Sequence, residues 1–451
     1  MNSLKNIRRI IFVSSQLGGE ALRSAQAICE LDDVCLFGIG EAAANSKARD
    51  TFSDFICVDD AHSADQLIAA ARRLCEKHGP LEQVITPQET LLEPVALANQ
   101  ALGLKGMDVS TVRRVLDKSS LKATLRKAGI NTPSSAVLTS SKDVNEFVAV
   151  TGFPIVLKPM SGSGGLATWC IRDSAQLALA LNLMKPTAQT PVLAEQYMFG
   201  EEVCIDTITI DNEPRFHSIC HYQPSILDAL ENPQTQWRCV MPRDITGERY
   251  QNLIDDGVKA IRALKVGNAV THMEGFLLAD GTYSFTDATL RLAGARIGPM
   301  LAFAYDIDPR LAWARAAIEG CFAGPWERKF AVGTIFLRGE GSGLVDRVNG
   351  IDAVIRELGT LVVDSRWPQI AAIKSATYTG DGYITVRHLE TSTVADALDF
   401  IAKTVRVIYS KPESFQFPGE GMREVWEERL RYKQLNKPAW ENEPLPTVSE
   451  A

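Results

Sequence analysis

The sequence predicts a chain of several domains, mixing α/β and α+β architecture. Three observations predict this. Strands alternate with helices from Arg9 to Gln88. A later strand, PIVLKP, carries Lys158 into a run of glycines and serines. The stretch 271–297, THMEGFLLADGTYSFTDATLRLAGARI, reads as two strands joined by a tight turn. A chain of 451 residues expects two to four domains. With 45% hydrophobic residues it can bury large cores.

The first 110 residues alternate regularly. RIIFVS is a buried-type strand, EALRSAQAICELD a helix, VCLFGIG and FICVDD strands, SADQLIAAARRLCEKHG a helix closed by Gly79, and QVITPQ a strand. Such alternation implies a Rossmann-like parallel sheet with right-handed crossovers. No Gly-x-Gly-x-x-Gly follows the first strand, so this is not a dinucleotide site. Glu89 sits just past QVITPQ, where the carboxyl ends of parallel strands present ligands. An acid stabilised by a helix N-terminus is the plainer reading of the same residue.

The middle of the chain carries the chemistry. Val115–Ser119 opens the helix LKATLRKAG, which stops at Gly129 before Pro133. In TGFPIVLKPMSGSGG, Lys158 precedes Ser161, Gly162, Ser163, Gly164 and Gly165. Glycines let backbone N–H groups wrap phosphate oxygens, and a lysine adds a point charge. This is no P-loop, because no Gly-Lys-Ser/Thr closes the loop. KPTAQTP then makes a break, and VLAEQYMFGEEVCIDTITID reads as strand, short connection, strand.

In the 271–297 stretch, Asp280-Gly281 between alternating apolar runs is a hairpin signal. Pairing lets Glu274 and Asp287 converge on one side. Magnesium takes one or two carboxylates and completes its shell with phosphate oxygens and water. Arg291 follows, suited to phosphate or carboxylate. His272, two before Glu274, shares its face and could orient a ligand; a packed strand histidine is the alternative. In RFHSICHY, His217 and His221 share a strand face while Cys220 points away. Histidines at that spacing hold zinc mainly on helices, so structural or substrate-lining roles are expected.

After Pro309 come a helix, RLAWARAAIEGCF, four short strands, FAVGTIFLRG, GLVDRVNG, KSATYTGD and GYITVRHLE, and a helix, VADALDFIAKTVRVIYS. From Pro412 the chain is rich in Glu, Pro and Lys; WEERLRYKQL reads as a helix and the end as a loose tail. A net charge of −8 argues against nucleic acid. The N-terminal apolar run is too short for a signal segment, and no run reaches membrane-spanning length. The nine cysteines lack a Cys-x-x-Cys and read as reduced cytoplasmic thiols.

Taken in order, these motifs resemble the ATP-grasp superfamily of carboxylate–amine ligases, the L-amino-acid ligases (dipeptide synthetases) most of all. The resemblance rests on Asp117-Lys118, the Gly-Phe-Pro-x-x-x-Lys-Pro run, the loop 161–165, Ala194-Glu195-Gln196-Tyr197-Met198-x-Gly200-x-Glu202, and Glu274, Asp287 and Arg291. It implies a pre-ATP-grasp domain over 1–110, a two-part core over 111–315 divided near 190, and a C-terminal α+β lid domain over 316–451.

It also implies roles. Lys118, Lys158 and the loop would hold ATP phosphates, and Glu195, Gln196, Tyr197, Met198 and Glu202 would receive the nucleoside. Glu274, Asp287 and Thr289 would hold Mg²⁺, with Mn²⁺ a substitute. Arg291 would stabilise the transferred phosphate and Arg296 would meet a substrate carboxylate. Glu89 and His272 would border the substrate. The implied partners are a small carboxylate and an amino acid, with neither nucleic acid nor membrane; a homodimer is allowed.

The family usually writes its last metal strand Glu-x-Asn-x-Arg, whereas this chain has Asp287, Thr289 and Arg291. Asp keeps the charge with a shorter reach; Thr loses an amide ligand. The implied reaction joins a carboxylate, activated as an acyl phosphate, to an amine, releasing ADP and phosphate. A bicarbonate-activating or purine-pathway enzyme, or a non-catalytic ATP binder, are the other readings.

Overall fold

The structure is a computed structural model that describes residues 7–41, 50–160 and 168–411. The expected phosphate loop, Ser161 to Gly165, and the expected helix WEERLRYKQL lie outside the described residues. Strands β1 (Arg8–Val13), β2 (Val34–Gly40), β3 (Asp54–Cys57) and β4 (Gln83–Ile85) form a parallel sheet in the order β3-β2-β1-β4. Continuous apolar runs make these strands: Ile10, Ile11, Phe12 and Val13 are fully buried, as a sheet covered on both faces requires. The helix Ala64–His78 is capped by the Ser63 side chain, which accepts from the Gln66 N–H, and ends at Gly79.

A second sheet, antiparallel, contains β5 (Ser135–Leu138), β6 (Ile155–Pro159), β7 (Trp169–Ile171) and β8 (Val192–Gln196) in the order β5-β8-β6-β7. Opposite it lie β9 (Gly200–Ile210), β10 (Glu213–Gln223), β11 (Trp237–Met241), β12 (Ala269–Leu278) and β13 (Tyr283–Thr289). The expected hairpin is β12–β13, turning at Asp280-Gly281 with Gly281 at φ 81°. A bulge after Glu274 interrupts the pairing. A Cβ on Gly275 there would collide with the Ser284 carbonyl, so glycine permits the close approach.

The C-terminal segment adds β14 (Ala331–Leu337), β15 (Leu344–Asn349), β16 (Val362–Arg366), β17 (Gly382–His388) and β18 (Arg406–Ser410). Three of these strands join the core sheet and the other two form a small sheet of their own. β14, β17 and β16 extend the core sheet through β11, giving eight strands in the order β13-β12-β9-β10-β11-β14-β17-β16. β15 pairs with β18.

Two local expectations change, and one strand is added. RVIYS is strand β18, not the end of a helix, because the helix Thr391–Thr404 stops before a run rich in β-branched and aromatic residues. KSATYTGD forms no strand; polar side-chain bonds among Ser375, Thr377 and Asp381 fold it into turns. VVDSR, polar toward one end, is strand β16. No helix of the described residues is long and apolar enough to cross a membrane.

Candidate nucleotide and metal site

The four-stranded β5–β8 sheet and the β9–β13 end of the large sheet face a cavity of about 300 Å³. Its wall includes Lys118, Lys158, Glu195, Glu202, Glu274 and Asp287. Glu89 reaches it from the N-terminal unit and Tyr378 from the C-terminal segment.

Lys118 opens the helix Lys118–Lys127, which Asp117 caps by accepting from the Ser120 N–H. Its ammonium pairs with Asp287. Burial pushes the Lys118 ammonium down, but the charge and hydrogen bond of Asp287, with the Glu195 and Glu274 charges, together leave the lysine above its usual range. Burial likewise pushes Asp287 up, and Lys118, Lys158 and Lys122 together hold the carboxyl low.

Glu195, on β8, is buried between two ammoniums. Lys158 Nζ lies 2.7 Å from Oε2, and Lys122 pairs with Oε1. One carboxylate serves two cations, so the lysines are not equivalent. Burial lowers Lys122 more than Glu195 restores it, and Lys158 adds repulsion. Burial raises Glu195, but Lys158 and Lys122 together bring it below its usual range.

Glu274 and Asp287 stand directly opposite in the β12–β13 register, and His272 stands opposite Thr289. Glu274 Oε1 accepts from Tyr222 OH at 3.1 Å and lies 3.2 Å from His272 Nε2. His272 Nδ1 lies 3.0 Å from Asp206 Oδ1. Burial pushes Glu274 up, but the hydrogen bond and charge of His272 win and lower it. Burial pushes the imidazole down, but the charge and hydrogen bond of Asp206, with Cys204, together drive it well above its ordinary range.

These oxygens suit Mg²⁺. Two carboxylates converge, and the Thr289 hydroxyl beside them is buried without a hydrogen-bond partner. An orphaned hydroxyl costs free energy unless a ligand or an ordered water completes it.

Residues 117–293 match the family described as the carbamoyl-phosphate synthase L chain, ATP binding domain. The chain is 21% identical over 254 residues to the alanine–anticapsin ligase of Bacillus subtilis, covering 51% of this chain and 52% of that protein. The aligned part thus spans about half of that relative. The crystal structure of L-amino acid ligase from Bacillus licheniformis superposes with a TM-score of 0.71 at 17% identity, covering 91% of this chain and all of that one. The chain shares the ATP-grasp fold, and residues 117–293 match its ATP-binding family. A further neighbour, the biotin carboxylase domain of the Hydrogenobacter thermophilus 2-oxoglutarate carboxylase, solved with MgADP and bicarbonate, superposes with a TM-score of 0.62 at 15% identity over 89% of this chain and 90% of that one.

Around this cavity, the residues singled out in the sequence fall into two groups. Lys118, Lys158, Glu195, Glu202, His272, Glu274, Asp287, Thr289, Arg291 and Glu89 all border it. Arg291 donates to Glu89 Oε2 from Nη2 at 2.7 Å and from Nε at 3.0 Å. Glu202 accepts from the Ile226 N–H at 2.6 Å, and burial with the nearby Glu274 charge pushes its carboxyl up to about 8.

Arg296, Gln196, Tyr197 and Met198 are not on the wall. The N–H groups of Gln196 and Tyr197 donate to Ser134 O at 2.8 Å and Pro154 O at 3.3 Å. Arg296 is turned away because Ala295 and Arg296 both adopt left-handed backbone, at φ 48° and 65°. Its guanidinium pairs with Asp364 and stacks 4.0 Å over the Tyr383 ring. His217 and His221 do not come together on a metal: His221 pairs with Glu201 and lies 3.0 Å from Tyr250 OH.

Sequence reasoning missed Lys122, Tyr222, Asp206 and Tyr378. Lys122 had a signal, since it follows Lys118 by four on a helix and shares its face. Asp206 alternates with Glu202 along β9, so it too shares a face. Tyr222 and Tyr378 reach the cavity from β10 and a loop whose placement only the tertiary fold decides.

Proposed function

We propose that the protein is an ATP-dependent ligase. It activates a carboxylate as an acyl phosphate, joins it to the amine of an amino acid, and releases ADP and phosphate. The observation that carries this reading is the meeting of Lys118 and Lys158 with the opposed carboxylates Glu274 and Asp287 in one cavity that Arg291 also borders.

A carboxylate is a poor electrophile, so amide formation needs a better leaving group. A carboxylate oxygen attacks the γ-phosphorus, the bond to the bridging oxygen breaks, and ADP departs. The amine nitrogen then attacks the acyl carbon, phosphate leaves with the carbon–oxygen bonding pair, and nitrogen loses a proton. The protein's task is positioning and charge neutralisation.

Lys118 and Lys158 would turn from Asp287 and Glu195 toward the phosphates as ATP enters. Glu202 would receive the nucleoside. Glu274, Asp287 and the Thr289 hydroxyl would hold Mg²⁺, which when bound neutralises charge across the β- and γ-phosphates. Arg291 would steady the transferred phosphoryl group, with Glu89 free to meet the substrate's ammonium. The C-terminal segment would cover the site through Tyr378.

The alanine–anticapsin ligase and the L-amino acid ligase support an amino-acid substrate. The carboxylase neighbour supports bicarbonate activation as a second reading. A matrix of amino acids, assayed for ATP-dependent phosphate release with mass detection of products, tests both. Amide product favours the ligase; phosphate release that depends on bicarbonate alone overturns it. Intact ATP binding with no turnover makes the protein a non-catalytic nucleotide binder.

A further inference from the structure

Beneath the two carboxylates of the cavity lies a second cluster that nucleotide chemistry does not use. Cys204 and Asp206 alternate on β9, and Asp206 stands opposite His272 on β12. All three are buried. Cys204 Sγ is 3.7 Å from Asp206 Oδ2, and Asp206 Oδ1 is 3.0 Å from His272 Nδ1. One ligand atom from each residue lies within 4.8 Å of the other two. Bonds of about 2.0–2.3 Å to a tetrahedral ion place its ligand atoms roughly 3.3–3.8 Å apart. The two measured separations, one to each carboxylate oxygen, lie within about 0.3 Å of that range, and no separation in the set exceeds it by more than about an ångström.

We propose that Cys204, Asp206 and His272 form a site for a thiophilic divalent cation of the Zn²⁺ class. A thiol, an imidazole and one carboxylate select zinc or cadmium; magnesium and calcium require oxygen. The surroundings match what a zinc histidine needs. With Nδ1 turned to the ion, Nε2 remains 3.2 Å from Glu274 Oε1, the carboxylate–histidine–metal arrangement that fixes tautomer and ring. The Cys220 thiol stands opposite Cys204 in register and in contact with it, a fourth donor at hand. His272 borders the cavity, which gives the ion a way in. An ion seated there reaches Glu274 through a single imidazole. The site stands independently of the ligase reading, because every ligand is a residue of this chain.

Titration of the full-length reduced protein with Cd²⁺, followed by thiolate-to-cadmium charge-transfer absorption, tests the site. One equivalent is expected to bind with that absorption. Cys204→Ser is expected to abolish it and Asp206→Asn to weaken it by at least about tenfold. Cys321→Ser, at an exposed thiol, is expected to leave it unchanged. Equal absorption in Cys204→Ser, unchanged affinity in Asp206→Asn, or loss in Cys321→Ser overturns the proposal. Should Cys204→Ser fail to fold, ¹¹³Cd NMR of the native chain decides. A resonance in the mixed sulfur–nitrogen–oxygen range supports the site, and one in the all-oxygen range overturns it.

Discussion

Arg291 and Arg296 lie on one short stretch of chain, yet they serve opposite seams of the molecule. Arg291 faces the cavity with the single carboxylate of Glu89 as its counter-ion. An anionic ligand can compete for such a guanidinium, because the pair is reached from the cavity. Arg296 is held twice, by Asp364 on β16 and by the ring of Tyr383 on β17. A stacked and paired guanidinium is a fastening between core and C-terminal strands, not a receptor. What separates the two is backbone: the left-handed Ala295 and Arg296 turn the chain before the helix Ile297–Tyr305. Residue type near a site therefore says less than the direction in which the chain leaves it.

The contrast can be broken at the cavity first. Arg291→Ala, Glu274→Ala and Asp287→Ala each remove a charge that would act on the phosphoryl group, and ATP-dependent phosphate release is expected to fall about 10²–10³-fold. Wild-type turnover in the two carboxylate variants, with unchanged Mg²⁺ dependence, would show that the β12–β13 hairpin is not the metal end. Asp287→Glu restores the usual family carboxylate and should retain most of the activity, and Thr289→Asn should be tolerated with equal or tighter Mg²⁺ affinity.

At the other seam, Arg296→Ala is expected to lower stability by about 1–3 kcal/mol, the cost of leaving a partly buried polar partner unsatisfied. Denaturant unfolding measures it. Turnover in that variant should stay within about tenfold of wild type, well short of the loss at Arg291. A 10²-fold fall with unchanged stability would return Arg296 to the substrate.

A further effect concerns pH. Glu202 rises from 4.5 to about 8 in the fold, chiefly through burial and then the Glu274 charge. The folded protein keeps that proton to higher pH than the unfolded chain does. Its contribution is full below about pH 4.5 and is lost as pH rises toward about 8. Glu202→Gln removes the dependence, so its melting temperature should fall less than wild type between about pH 5 and about pH 8.5. Parallel falls in both proteins would contradict the assignment.

Much of this was legible in the sequence, for local reasons. Period-two alternation and Asp280-Gly281 specify a hairpin, and pairing then sets Glu274 against Asp287. Alternating strands and helices specify the parallel sheet. The apolar runs of β1 and β2 leave no other layer arrangement. Other features were not legible because they are tertiary. Nothing near Arg296 announces Asp364, which follows much later in the chain. Glu195 reads as a nucleoside contact from its motif, yet its carboxylate is buried between Lys122 and Lys158. The continuity of β11 with β14 is likewise invisible, because the β12–β13 hairpin and several helices intervene.

The central claim is that a carboxylate oxygen takes the γ-phosphoryl group of ATP. Isotope transfer tests it most directly. An acid that the amino-acid matrix shows to be turned over is labelled with ¹⁸O in its carboxylate, and the phosphate released with ADP is examined by ³¹P NMR. The expected result is one ¹⁸O atom per phosphate, carried through the acyl phosphate. Phosphate without label, or pyrophosphate and AMP as the products, would contradict the account.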